Sequence, residues 1–327
     1  MNLPPLDDLL TSMHVVSLPL NTRFRGVEHR EVALIEGVAG WGEFGPFLEY
    51  EPPEASRWLA SAIEAAYDGF PSPVRELVAV NATVPAVAPD AVPTVLARYD
   101  GCTTAKVKVA ERGQSLQHDI ERIASVRAVM GSSANVRIDA NGGWRVDEAL
   151  HAIQALRGYD LEYVEQPCAS VEELAELRKR LARNGIDVLI AADESIRKVE
   201  DPLRVKALGA ADVAVVKVAP LGGVRNALRI AEQMELPVVV SSALDSSVGM
   251  SAGVAFAAAL PELPFACGLG TIELFDGDVV ADSLVPQQGS LRTRQITPGP
   301  MLLERWGASP DRQHWWRSRI AAAYEYL

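Results

Sequence analysis

Between residues 77 and 271 the chain alternates two hydrophobic rhythms. Short β-branched runs have the length and composition of buried strands: LVAVNATV (77–84), TTAKVKVA (103–110), NVRIDAN (135–141), LEYVEQP (161–167), DVLIAADE (187–194), DVAVVKVA (212–219), PVVVSSAL (237–244) and FACGLGT (265–271). Between them, LQHDIERIASVRAVM, VDEALHAIQALR, SVEELAELRKRLARNG and GGVRNALRIAEQM place apolar residues three and four apart, the buried stripe of a helix. Eight alternations over about 190 residues predict an α/β chain folded as a closed parallel barrel of the TIM (β/α) kind. An open doubly wound sheet is the competing fold, but no Gly-x-Gly-x-x-Gly turn follows any of the strands.

The two ends keep neither rhythm. MHVVSLPL (13–20) and EVALIEGVAGWGEFGPF (31–47) are strand-like, SRWLASAIEAAYDG (56–69) is helical, and the tail closes with an amphipathic DRQHWWRSRIAAAYEYL (311–327). Residues 1–76 and 275–327 therefore read as one α+β capping domain around a barrel of residues 77–274, with Trp315 and Trp316 as packing anchors. This makes the barrel a modified one, carrying an extra domain built from both termini.

Composition narrows the partners. The 327 residues carry 31 Lys plus Arg against 43 Asp plus Glu, a net charge of −12, with no basic run interleaved with aromatics. Nucleic acid and anionic membrane are excluded as expected partners, which leaves a small molecule. The amino terminus has acidic residues where a signal peptide needs a basic region, and the uncharged stretch from Ser246 to Pro261 is too short and too rich in Ser and Gly to span a bilayer. A cytoplasmic protein is expected. Cys102, Cys168 and Cys267 are odd in number and lack metal-type spacing, and the five histidines fall outside the strongest strand candidates.

The chemistry is expected at the carboxyl ends of the strands, where barrel enzymes carry it. Lys106 and Lys108 alternate onto one face of an apolar strand, so an anion should lie nearby to offset their repulsion and desolvation. From Lys108 the next charged strand ends, Asp139, Glu165, Asp193 and Lys217, follow at intervals of 31, 26, 28 and 24 residues. Each interval is close to one βα repeat, which stacks the groups around a single rim. Asp139, Glu165 and Asp193 would converge as hard oxygen ligands suited to Mg²⁺, with Mn²⁺ as an alternative. Lys108 is a candidate base, with Lys217 facing it, and Arg137 and Asn141 share the inward parity of Asp139. Abstracting a proton beside a carboxylate gives an enediolate that such a cation makes accessible.

AKVKV, RIDANGGW, VEQP, AADES and VVKVAPLGG, in this order, resemble the barrel motifs of the muconate-lactonizing branch of the enolase superfamily from about Val78 to Thr271. NTRFRGV (21–27) and GWGEFGPF (40–47) resemble its two capping-domain loops. The resemblance implies Lys108 as the base and then the acid of a syn dehydration, and Lys217 as the opposite lysine that stabilises the enediolate. It also implies Lys106 as an auxiliary group on the substrate carboxylate, and Asp139, Glu165 and Asp193 as Mg²⁺ ligands. At CGLGT, where relatives that epimerise dipeptides carry Asp-x-Asp for an ammonium, Gly268 and Gly270 leave room but no charge. Ser241, Ser242, Ser246 and Ser247 could take a distal succinyl carboxylate, with Arg23 and Arg25 as a charged lid. Racemisation of an N-succinyl amino acid on the same groups, or a barrel that binds a metabolite without catalysis, stays open.

Overall fold

The computed structural model describes residues 3–24, 26–197 and 202–327, with only the backbone described for Arg23, Phe24 and Arg197. Helix α1 (Leu6–Ser12) leads into an antiparallel sheet of β1 (Met13–Phe24), β2 (Val27–Gly37) and β3 (Gly40–Phe44), in that order. Alternate residues of this sheet enter different cores. Val15, Ala33, Ile35 and Phe44 face a cluster with α2 (Pro52–Ile63), whereas Val16, Leu18, Val32 and Leu34 join the barrel core. Covering both faces explains why the VALIEG run is almost continuously apolar.

Next come β4 (Leu77–Ala79), β5 (Ala82–Val84), α3 (Val92–Leu96), β6 (Thr104–Lys108), α4 (Leu116–Met130), β7 (Asn135–Asp139), α5 (Val146–Leu156), β8 (Leu161–Glu165) and α6 (Val171–Arg183). They are followed by β9 (Leu189–Ala192), α7 (Glu194–Arg197), α8 (Arg204–Ala207), β10 (Val213–Val216), α9 (Val224–Met234), β11 (Val238–Val240) and α10 (Ser247–Ala259). Among the described residues β5 to β11 form a seven-stranded parallel sheet in sequential order. Parallel bridges Ser241↔Gly268 and Val80↔Cys267 then join its two edges, which closes the barrel.

Two strand expectations change. FACGLGT supplies bridges at Cys267 and Gly268 in place of a full eighth strand, because its glycines offer no side chains to hold a longer ladder. LVAVNATV is divided: its first three residues turn away to pair antiparallel with β12 (Ser290–Arg292), and only β5 enters the barrel. Asn81 marks the division, its backbone N–H donating to Cys267 O at 2.9 Å. The uncharged stretch after Ser246 becomes α10, buried on all sides as a core helix. Among the described residues no helix is long and apolar enough to cross a membrane.

After α11 (Pro300–Arg305), α12 (Pro310–Tyr324) returns to the amino-terminal sheet. Trp316 is buried against Phe44, edge to face at 5.8 Å, and its indole donates to Glu31 at 3.0 Å, whereas Trp315 lies at the surface between Arg312 and Arg319. Only one of the two tryptophans is therefore an anchor. Trp316→Ala should cost about 3–5 kcal/mol, and Trp315→Ala under about 1 kcal/mol. Urea midpoints of the two variants check this, and an unmoved midpoint for Trp316→Ala would detach the tail from this core.

Candidate active site

The ladder itself brings the charges together. In the parallel register Lys108 lies opposite Asp139, and Asp139 opposite Glu165, so the strand ends of β6, β7 and β8 carry three charged groups side by side. Asp193 follows β9 and Lys217 follows β10. All three carboxylates are buried, as are Lys106 and Lys217, and the side chain of Lys108 is 12% exposed.

Lys106 Nζ donates to both oxygens of Glu165, at 2.8 and 3.0 Å, and lies 3.4 Å from Asp139. Lys108 donates to Asp139 and, at 2.7 Å, to Asn141 Oδ1, while Lys217 is ion-paired with Asp193. These carboxylates answer the repulsion between the two lysines of β6. Three lysine side chains thus face three acidic ones around the rim. Asn141, in the left-handed region at φ 46°, donates from its own N–H to Asp139 Oδ1 at 3.0 Å and from Nδ2 to Glu194 at 3.2 Å. It thereby ties β6, β7 and the start of α7 together.

Burial opposes the charge of Lys106, but Glu165 and Asp139 outweigh it and hold the ammonium above the ordinary lysine range. Lys106 is thus a fixed cation. Asp139 is likewise opposed by burial, yet Lys108 and Lys106 hold it well below the usual carboxylate range. Glu165 goes the other way, pushed up to about 7 by burial and by the neighbouring carboxylate of Asp139, with Lys106 only partly offsetting this. The rim concentrates more negative charge around Glu165 than one lysine relieves.

Among the described residues no three acidic, histidine or cysteine side chains stand close enough to grip an ion together, because each carboxylate is drawn to a lysine. The donor set still fits a divalent cation in kind. Three hard oxygen groups come from consecutive strand ends, and the excess charge at Glu165 is what such an ion would neutralise.

The other expected residues divide. Ser241 is buried and lines a small cavity with Lys217, and Ser242 Oγ is 2.7 Å from Thr271 Oγ1. Ser246 and Ser247 are not open to substrate: their hydroxyls donate to Glu43 and Asp278. Gly268 leaves no room either, since a Cβ there would lie 2.9 Å from Ser241 Oγ, and one at Gly270 would lie 3.0 Å from Asn81 O. Arg137, which shares the inward parity of Asp139, fills the barrel core. It is buried inside the barrel, donates to Glu162 at 2.7 Å and Tyr163 Oη at 2.9 Å, and stacks on the Tyr163 ring. The side chain of Arg23 and all of Arg25 lie outside the described residues.

Sequence reasoning missed Gln166. Buried at the end of VEQP with φ 38°, it accepts from the backbone N–H groups of Asp193 (2.8 Å) and Ser195 (3.1 Å) and donates to Cys168 O (2.9 Å) and Ser195 Oγ (2.7 Å). Its whole amide is used to lock the ends of β8 and β9 together. The signal was available: a polar residue inside an apolar strand end, next to a charged one, needs a buried partner.

A capping sheet docked on a closed parallel barrel, with charged side chains at its strand ends, is the architecture of an enolase-superfamily enzyme. Family models agree, with "Enolase C-terminal domain-like" matching residues 91–300 and "Enolase N-terminal domain-like" matching residues 15–66. Among solved structures, the muconate lactonizing enzyme from Pseudomonas putida aligns with a TM-score of 0.73 at 21% identity, over 90% of this chain and 98% of that one. The L-Ala-D/L-Glu epimerase from Bacillus subtilis gives 0.72 at 24% identity, over 88% and 96%. Both likenesses speak to fold alone. An o-succinylbenzoate synthase from Mycobacterium marinum is 59% identical over 324 residues, 98% of this chain and 96% of that protein. Those from Mycolicibacterium smegmatis and Mycobacterium tuberculosis are each 57% identical, covering 99% of this chain and 98% and 97% of their own lengths. The chain belongs to the o-succinylbenzoate synthase family of the enolase superfamily.

Proposed function

We propose that this chain acts in the cytoplasm, in menaquinone biosynthesis, as the Mg²⁺-dependent dehydratase that converts 2-succinyl-6-hydroxy-2,4-cyclohexadiene-1-carboxylate to 2-succinylbenzoate. The observation that carries the reading is the pair Lys108 and Lys217, entering one barrel mouth from β6 and β10 with three buried carboxylates on the strand ends between them. The amine of Lys108 takes the proton on the carbon beside the ring carboxylate. The resulting enediolate is stabilised by the fixed charges of Lys217 and Lys106. The C–O bond to the ring hydroxyl then breaks, Lys108 returns its proton to that oxygen, water leaves, and a ring double bond completes the aromatic product. Asp139, Glu165 and Asp193 are the residues that would hold Mg²⁺ or Mn²⁺, and the ion would supply positive charge against the dianionic intermediate. Asn141 would orient Lys108, and Ser241 and Ser242 would receive the succinyl arm. The domain boundaries we favour are residues 1–76 with 275–327 for the cap and 77–274 for the barrel.

The second reading is racemisation of N-succinyl amino acids, which the same opposed lysines could perform. The three atoms nearest a Cβ at Gly268 all belong to Ser241, which offers an ammonium a hydroxyl in place of a carboxylate, and burying the ammonium unpaired would cost several kcal/mol. Substrates with a free amino group are therefore disfavoured, whereas an N-succinyl group is not. The test is kcat/KM: dehydration of the cyclohexadiene acid should exceed racemisation of any N-succinyl amino acid, and an Ala-Glu dipeptide should not be epimerised. Efficient dipeptide epimerisation would overturn the specificity.

A further inference from the structure

Beside Lys217, at the junction of the capping sheet with the barrel, lie two carboxylates that the reaction does not use, Glu43 buried and Asp245 half-buried. Glu43 belongs to β3, and Asp245 lies in the loop after β11 that also carries Ser241 and Ser242. Both press on the bare Cα of Gly249 in α10, where a Cβ would come within 2.8 Å of Glu43 Oε1 and 2.9 Å of Asp245 Cβ. The two oxygens of Glu43 are used unequally. Oε2 receives the N–H of Ser246 (3.1 Å), the N–H of Gly249 (3.2 Å) and the Ser246 hydroxyl, whereas Oε1 is buried and has no hydrogen-bond partner among the described residues. On the other side Asp245 accepts from the Ala243 N–H of its own loop at 3.0 Å.

We propose that Glu43 and Asp245 share a single proton, Glu43 Oε1 donating to Asp245, and that Glu43 is a positioning residue through which the capping domain sets the shape of the substrate-facing loop 241–246. The loop needs such a hold, because Leu244 is buried with φ 63°, a conformation that a branched residue adopts only under constraint from its surroundings. Arg30 of β2 supplies a second grip, its Nε donating to Leu244 O at 3.0 Å. Charge requires the proton. Among the described residues the cations facing the pair are Arg30 and Lys217, and Lys217 is also bound to Asp193, so the two carboxylates share their counter-charge with a third. The remaining neighbours, Trp58 and Ser61 of α2 and Val248, Gly249 and Ala252 of α10, carry no charge. The cavity they enclose, about 20 Å³, holds little more than one water molecule, so solvent cannot take up the surplus.

Burial and Asp245 push Glu43 up to about 8, and burial raises Asp245 as well, so the proton stays on the pair through neutral pH. In the unfolded chain both acids lose their protons near pH 4–5. Stability from the shared proton is therefore full below that range and is lost as pH rises through about 8.

The inference rests on the dehydratase reading for its activity arm alone. Wild-type kcat/KM should fall about tenfold per pH unit above about pH 8 as a second charge enters the pair. Glu43→Gln, whose amide keeps the acceptor at Oε2 and a donor toward Asp245, should lose that alkaline limb whatever its plateau, and Asp245→Asn should do the same. Without substrate, melting temperatures measured from pH 6 to 9 should favour Glu43→Gln over wild type increasingly as pH rises. Parallel wild-type and variant curves in both measurements would overturn the shared proton. A wild type that turns over no cyclohexadiene acid, while the melting curves diverge as expected, would remove the dehydratase reading and leave the acid pair standing.

Discussion

Lys108→Ala should abolish dehydration, lowering kcat by about 10³ or more, while the protein stays folded. A positioned general base contributes about 10²–10⁴, and this lysine also serves as the acid that helps the hydroxyl depart. The fold should survive because Asp139 does not lose its only cation: Lys106 remains 3.4 Å away. Lys217→Ala should lose less, about 10²–10³, the scale of one missing preorganised charge at the intermediate. The two variants are separated by exchange of the substrate α-proton with deuterated solvent, which should vanish without Lys108 and only slow, by about the same 10²–10³ as dehydration, without Lys217. Near-normal dehydration by Lys108→Ala would show that another group is the base.

That contrast was legible in the sequence because parallel strands repeat at nearly constant spacing. Once TTAKVKVA and NVRIDAN are strands in adjacent register, Lys108 and Asp139 must be neighbours, and the ladder places them opposite one another. What local pattern does not encode is contact between elements far apart in the chain. Ser246 has the same composition signal as Ser241, yet its hydroxyl belongs to Glu43, 203 residues earlier, and only the docking of the capping sheet decides that. Glycines at 268 and 270 read as free space, whereas Ser241 and Asn81 from neighbouring strands already fill it. LVAVNATV shows the same limit: nothing within those eight residues announces that β12, more than 200 positions later, will take the first three. The acid pair at Glu43 and Asp245 was invisible for that reason too, since each is unremarkable within its own segment.

Removing one carboxylate of the rim should have the largest effect of all, because it disables chemistry and charge balance together. Asp139 is the sharpest case. It is the partner of Lys108 and lies within 3.4 Å of Lys106, so Asp139→Asn leaves two lysines two residues apart on β6, with Glu165 paired to Lys106 alone. Breaking a buried ion pair from one side costs about 3–5 kcal/mol, so this variant should be less stable as well as inactive. Glu165→Gln should be milder in stability, since Glu165 is raised to about 7 by its surroundings whereas Asp139 is held below the usual carboxylate range. All three amide variants, Asp193→Asn included, should show no turnover. Lost stability alone would not separate a metal-binding role from a structural one, so the measurement is Mg²⁺ titration without substrate. Wild type should gain melting temperature with Mg²⁺, rising as RT ln(1 + [Mg²⁺]/Kd), while each amide variant gains little or nothing. Dialysis against EDTA should silence wild-type turnover, and Mg²⁺ or Mn²⁺ should restore it. Full activity after EDTA, or an unchanged Mg²⁺ response in Asp139→Asn, would remove these carboxylates from metal binding and leave them as counter-ions of the lysines.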